Sequence, residues 1–374
     1  MFDSRGGSLQ PEKHHDCTSR CQARRRSCGG KRGLSPARRS TRGAGLGPGQ
    51  GVSAAQACGM TFEFELTPRP PFRLDLTVWA LRRQPGNRID AWDGRRYARG
   101  VALGASVLRI AVEQGGVPAA PRLLVAVQGP EGRRDVAQEV VSGLLRRALG
   151  LDIDLEGFYR FAASDAALAP LAARFRGMKP PRFPALFEAL ANAIACQQVS
   201  LASGIAMLGK LASALAPQTQ CDAGVLAFPQ PRAVLAAGPE FLRDLGWSRQ
   251  KTDYLLAAAA AIENGALCDA QLAQTDDAQV LRLLSRLHGI KRWSAQYVAL
   301  RGLGRLTVFP VDDVGAHKHL ALWLGLPERL DAQSTQALVA RWQPYAGMVY
   351  FHILLKRLED AGHLDSQHAC TGGA

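Results

Sequence analysis

The sequence predicts an α+β fold: an N-terminal antiparallel sheet with accompanying helices, followed by an all-helical region. Three observations carry this expectation. Beyond Met60, short stretches alternate apolar and polar side chains, the period of a half-buried strand. The stretch GMKPPRFP, residues 177 to 184, then breaks the pattern with three prolines and a glycine. After it, apolar residues recur at helical spacing in a series of segments separated by Gly, Pro and Asn. The expected division is a segment over 1–59, an α+β domain over 60–178, a helical domain over 179–366 and a tail over 367–374.

Residues 1 to 59 carry 11 basic residues against three acidic ones, a net +8 that leaves +6 of the total +14 for the rest of the chain. They are rich in Gly and Ser and poor in large apolar residues, so they cannot repay the entropy of ordering. They are expected to form a solvated basic tail, or an extension ahead of a start at Met60. Within them Cys17, Cys21 and Cys28 lie near His14 and His15, but the C-x3-C-x6-C spacing matches no common tetrahedral zinc site. The other five cysteines are scattered singly, as free thiols of a reducing compartment are. No apolar run approaches the roughly 20 residues of a membrane span, and no secretory h-region follows the basic N-terminus. A cytoplasmic protein with no membrane partner is expected. The basic balance suits an anionic partner such as nucleic acid.

In the first region TFEFELT places Phe62, Phe64 and Leu66 on one face of a strand, and Asp93-Gly94 marks a tight hairpin. VALGASVLRIAV and PRLLVAVQG supply further strands, and RRDVAQEVVSGLLRRAL a helix with Val136, Val140, Leu144 and Leu145 on one face. The helical region opens with PALFEALANAIACQQVS, which should bury Leu186, Phe187, Leu190 and Ile194.

The most informative unit is LLSRLHGIKRWSAQYVALRGLGRLTVFPVDDVGAHKHL. One helix ends at Leu287 and another begins near Arg292, joined by His288-Gly289-Ile290-Lys291. Gly289 permits the φ > 0 that so short a turn usually requires. Ile290 is expected in the crotch between the helices, and the first N–H groups of the second helix are free to meet a phosphate oxygen. By itself this is also an ordinary contact within a helical bundle. Asp313 follows Gly289 by 24 residues and, with Asp312, opens the helix DVGAHKHLALWLG. A carboxylate there faces the positive end of the helix dipole. Either acid could be the N-cap; the expectation is that Asp312 caps and Asp313 is functional.

LHGIKRWSAQYVALRG followed by FPVDD resembles the signature of the helix-hairpin-helix superfamily of DNA base-excision glycosylases, and most closely its branch of DNA-3-methyladenine glycosylase II. ACQQVS, LGWSRQKTDYL, RWQPYAGMVYFH and the sheet-bearing N-terminal region agree with it, so the resemblance covers roughly residues 60 to 362. It implies that Asp313 is the catalytic carboxylate and Asp312 the cap. Trp293, Tyr297 and Tyr345 would line the pocket for a flipped base, with Trp342 left in the core. Gln198 would be the wedge filling the gap in the duplex, although capping or a backbone bond are equally ordinary uses of such a residue. Gly289, Ile290 and Lys291 would hold a DNA phosphate. Lyase members carry a Lys where Trp293 stands here, so the resemblance implies hydrolysis of the N-glycosidic bond with the strand left intact. Lys291 and Lys318 are other nearby amines.

The implied substrate is double-stranded DNA with damaged bases, bound by a monomer on the bacterial nucleoid. An alkylated purine is cationic and attracted to an electron-rich ring face, by about 0.5–2 kcal/mol. It is already a good leaving group, so the demand is for negative charge beside the oxocarbenium-like sugar, which Asp313 would supply. No cofactor is implied. The family turn is usually Gly-x-Gly, and Lys291 in place of the second Gly would strain the turn if φ > 0 were needed there. It would also substitute its own charge for the cation through which the family contacts phosphate. Two other readings stay open on sequence alone: a catalytically silent DNA-binding protein, and a glycosylase for deaminated or oxidised bases. A regulatory fusion would need a larger module than residues 1–59 offer.

Overall fold

The computed structural model describes residues 59–104, 106–215, 225–327 and 329–364. The cysteine-histidine cluster and nearly all of the basic segment lie outside these residues. The N-terminal half contains β1 (Met60–Leu66), α1 (Leu74–Arg82), β2 (Ala91–Trp92), β3 (Arg96–Leu103), β4 (Ser106–Gly115), β5 (Arg122–Gly129) and α2 (Arg134–Leu149). All strand pairs are antiparallel, in the order β1-β5-β4-β3-β2. Phe62 and Ile110 both oppose Val127, which aligns the apolar rows on the inner face. At the β2–β3 turn the Asp93 carboxylate accepts the N–H groups of Arg95 and Arg96, and Gly94 takes φ +104.

α2 turns its stripe one residue away from the expected face. Ala137, Val141, Leu145, Ala148 and Leu149 are buried, whereas Val136 is exposed. Val136, Val140 and Leu144 are larger than alanine but fall on the flank, because Ala137 and Ala148 let the helix approach the sheet closely.

The chain continues through α3 (Glu156–Ala163) and α4 (Leu168–Arg174), then α5 (Leu186–Ala195), α6 (Leu201–Leu215), α7 (Pro231–Asp244) and α8 (Arg249–Glu263). The short α9 (Asp269–Ala273) precedes α10 (Asp277–Ser285), α11 (Arg292–Arg301), α12 (Val314–Leu324) and α13 (Ala332–Val339). A 3-10 turn over Ala340–Trp342 leads into α14 (Ala346–Asp360). α5 is buried on every side, including the four apolar residues expected there. No helix among the described residues is long and apolar enough to cross a membrane.

Two apolar clusters hold these elements, and each draws on residues from both sides of position 178. One joins the inner sheet face to α2, α5, α8 and α11. The other joins Trp79 of α1, Phe158 and Phe175 to Phe309, Trp342 and Phe351. Trp342 is fully buried, as expected, and its indole N–H donates to Asp165. Two buried arginines reinforce the junction. Arg99 on β3 bonds Asp90 and Glu188 of α5, and Tyr97 donates to the same Asp90. Burial by itself would lower the Arg99 pKa, but the Glu188 and Asp90 carboxylates raise it well above its usual value and keep the guanidinium charged. Arg301, at the end of α11, donates to the carbonyls of Ala80 and Leu81 and so closes the last turn of α1. Together they fix α5 and α11, the helices that carry the site.

Candidate active site

The site is built on the α10–α11 hairpin. After α10 the chain turns through an Ile290 N–H to Leu287 carbonyl bond of 3.1 Å, with Gly289 at φ +82. Glycine is required there twice over: the left-handed backbone disfavours a side chain, and a Cβ would lie 2.1 Å from the Tyr254 ring. Ile290 is 1% exposed in the crotch of the hairpin. Its N–H is spent inside the turn, so the expectation that Ile290 donates to a phosphate is corrected: it contributes packing. The expected strain at Lys291 is also absent, since Lys291 adopts φ −105, open to any residue. The Lys291 side chain is exposed and makes no cap at the start of α11.

Two of the turn's carbonyls each already accept one hydrogen bond. Leu287 O accepts the Ile290 N–H and Gly289 O accepts the Gln197 side-chain amide at 2.9 Å, while Lys291 adds a positive charge beside them. Among the described residues no group of three or more His, Cys, Asp or Glu side chains could hold a metal ion.

The acid pair is divided otherwise than expected. Asp313, not Asp312, is the N-cap of α12: its Oδ1 accepts the Ala316 N–H at 3.0 Å. Asp312 is one residue too early to reach that N–H and pairs with Arg292 in the first turn of α11. The capping and the functional candidate are therefore the same residue. Its second oxygen, Oδ2, accepts the Tyr350 O–H at 2.7 Å. Upstream, Phe309 and Val311 are buried and the Gln296 amide oxygen accepts the Val311 N–H, so the segment that delivers Asp313 is anchored to α11.

Trp293 and Tyr297 stack on one face of α11, with ring centroids 5.3 Å apart and planes 29° from parallel. The buried Arg83 guanidinium donates to Tyr297 Oη and to Asn192 Oδ1, both at 2.6 Å. Tyr345 does not belong to this group. It sits just before α14, against Phe158 and Phe161 and beside Gly157 of α3. The aromatic residue that α14 does bring to the site is Tyr350.

A cleft of about 1210 Å³ gathers these groups: Trp293, Tyr297, Asp313 and Tyr350 line it, as do Gln198 and Lys291 at its margins. Gln198 is exposed at φ +54, a left-handed conformation uncommon for a residue with a side chain, at the bend between α5 and α6. Its neighbour Val199 is 42% exposed. Arg83, Lys251, His319 and Arg357 also reach the cleft. Lys251 donates to the Ala195 carbonyl at the end of α5, and burial lowers its pKa. His319 is pushed below its usual value by burial, Arg357 and Lys318, which leaves it neutral at pH 7.

Sequence reasoning missed Lys251, His319 and Arg357, and also Arg83, Tyr350 and Gln197. Arg83 lies at φ +62 after α1, a helix the strand-like reading passed over. Tyr350 lies five residues beyond Tyr345, inside α14, whereas Tyr345 precedes it. Gln197 is adjacent to a residue singled out, but a buried amide and an exposed one look alike in sequence.

A sequence profile described as HhH-GPD superfamily base excision DNA repair protein matches residues 191–344, which contain the hairpin and both acids. The DNA-3-methyladenine glycosylase of Bacillus subtilis is 27% identical over 208 residues, 54% of this chain and 69% of that protein. The DNA-3-methyladenine glycosylase 2 of Escherichia coli is 26% identical over 293 residues, 78% of this chain and 96% of that one. The fold is shared with a 3-methyladenine DNA-glycosylase from Archaeoglobus fulgidus, at a TM-score of 0.66 and 23% identity over 81% of this chain and 100% of that chain. The hairpin, the carboxylate at the start of the following helix and the sheet-bearing N-terminal half thus occur here in one chain, which over residues 191–344 is similar to the HhH-GPD superfamily of base excision DNA repair proteins.

Proposed function

We infer that this chain is a monofunctional DNA glycosylase that flips alkylated purines of the 3-methyladenine type out of duplex DNA and hydrolyses their N-glycosidic bond. The observation that carries the reading is the position of Asp313: a carboxylate at the N-terminus of α12, on the wall of the same cleft as the Trp293–Tyr297 stack. The relatives named above supply the substrate class.

A base within a duplex must leave the stack, at a cost of a few kcal/mol. Lys291 and the first turn of α11 would hold the backbone by charge and by N–H groups while Gln198, at the mouth of the cleft, fills the vacated space. The flipped base would lie against Trp293, and a cationic purine gains from that ring face. As the glycosidic bond lengthens, positive charge builds on the sugar. Asp313 faces it from a site partly shielded from water, where a fixed negative charge is worth more than in bulk solvent. Water then adds to the sugar and the base departs.

The strand should remain uncut. Trp293 occupies the position where the resemblance places the lyase amine, and Lys251 is engaged with Ala195 O. Release of free methylpurine from methylated duplex DNA, with the strands intact on a denaturing gel, tests the reading. Binding without release would favour the silent DNA-binding protein.

A further inference from the structure

We propose that Tyr350 is a positioning residue for Asp313, the second of two hydrogen bonds that lock the carboxylate in one orientation on the cleft wall. The Ala316 N–H holds only Oδ1, and a cap bond of that kind leaves the other oxygen free to turn about χ2. The Tyr350 phenol donates to Oδ2 at 2.7 Å, so two donors, one on α12 and one on α14, hold the two carboxylate oxygens. The Tyr350 ring is itself held edge-on by Phe309, at 5.5 Å and 87°. Phe309 stands four residues before Asp313 in the same segment. The segment that presents the acid therefore also steadies the ring that orients it. Burial, then Asp313 and Tyr297, raise the phenol's pKa well above its usual value, so it keeps its proton and acts as a donor at any pH of interest.

The proposal rests on the glycosylase reading, and Tyr350→Phe tests it by removing one oxygen while keeping the ring. Three quantities are measured on the full chain: the single-turnover rate of 7-methylguanine release from methylated duplex DNA, the Kd for a duplex with an uncleavable abasic analogue, and Tm. The expected result is a rate lower by about ten- to a hundredfold, the worth of one hydrogen bond to a charged group, with Kd and Tm unchanged. An unchanged rate, or a loss of rate matched by loss of affinity or of Tm, would overturn the positioning role. Wild type that binds DNA but releases no base would instead overturn the glycosylase reading beneath it.

Discussion

The side-chain amide of Gln197 donates to the Gly289 carbonyl at 2.9 Å and to Ser294 Oγ at 3.0 Å, and so ties the bend after α5 to the hairpin turn 92 residues later. One residue on, Gln198 projects from that bend at the mouth of the cleft. The amide of Gln197 thus ties the proposed wedge to the turn proposed to hold phosphate. Gln197→Ala removes both bonds and leaves a partly buried carbonyl without its partner. We expect a loss of about 1–2 kcal/mol, read as a lower midpoint in denaturant. DNA affinity should fall as well, yet the slope of log Kd against log salt should stay the same, because no charge is lost. Titrations at three salt concentrations check both statements.

Gly289 allows a stronger test of the hairpin. Gly289→Ala forces a side chain onto a backbone at φ +82 and drives its Cβ into Tyr254. The left-handed conformation costs roughly 1–2 kcal/mol and overpacking typically about 1–3 more. A destabilisation of about 2–5 kcal/mol is expected. Tyr254→Ala in the same chain should recover the overpacking part and leave the backbone part, which denaturant unfolding of the single and double variants resolves.

His352, in the second turn of α14, makes stability depend on acid. It is buried with its Nδ1 on the Met348 carbonyl at 2.8 Å, and burial lowers its pKa from 6.5 to about 4. Above pH 6.5 the folded and unfolded states both keep it neutral, and it contributes no pH dependence. As pH falls from 6.5 towards 4 the unfolded chain takes up a proton that the folded one refuses, so stability is lost across that window, approaching about 3 kcal/mol at its lower end. His352→Gln should flatten this part of the profile, measured as Tm at half-unit steps of pH.

Much of the architecture could be read in advance because it rests on local rules. Strict alternation marked β1, Asp93-Gly94 marked the hairpin of β2 and β3, and the apolar spacing of α5 named its buried residues. Reading failed where tertiary placement decides. In α1 the run LDLTVWALR is apolar almost throughout, and only the contacts of both its faces distinguish a buried helix from a strand. The buried face of α2 lies one position from the expected one because Ala137 and Ala148, not the larger Val136 and Leu144, are buried. In the site itself the hairpin and the placement of Trp293, Tyr297 and Asp313 near one another were legible. The division of labour between Asp312 and Asp313 was not, since it turns on a single residue of register between a cap bond to Ala316 and an ion pair with Arg292. Tyr350 and Arg83 reach the cleft from elements 37 and 230 residues away from Asp313, distances over which no spacing rule operates.

Asp313 and Asp312 separate the central claim most directly. Asn caps a helix about as well as Asp, so Asp313→Asn keeps the start of α12 while removing the charge. Asp312→Asn removes only a partly exposed ion pair, worth about 1 kcal/mol or less. The decisive measurement is single-turnover release of methylpurine from methylated duplex DNA by the wild type and both variants at equal protein. Asp312→Asn is expected to stay within a few-fold of wild type, while Asp313→Asn falls by about a hundredfold or more, with its melting temperature unchanged. Release by Asp313→Asn at the wild-type rate would contradict this and reduce Asp313 to the helix cap that its hydrogen bond to Ala316 already makes it.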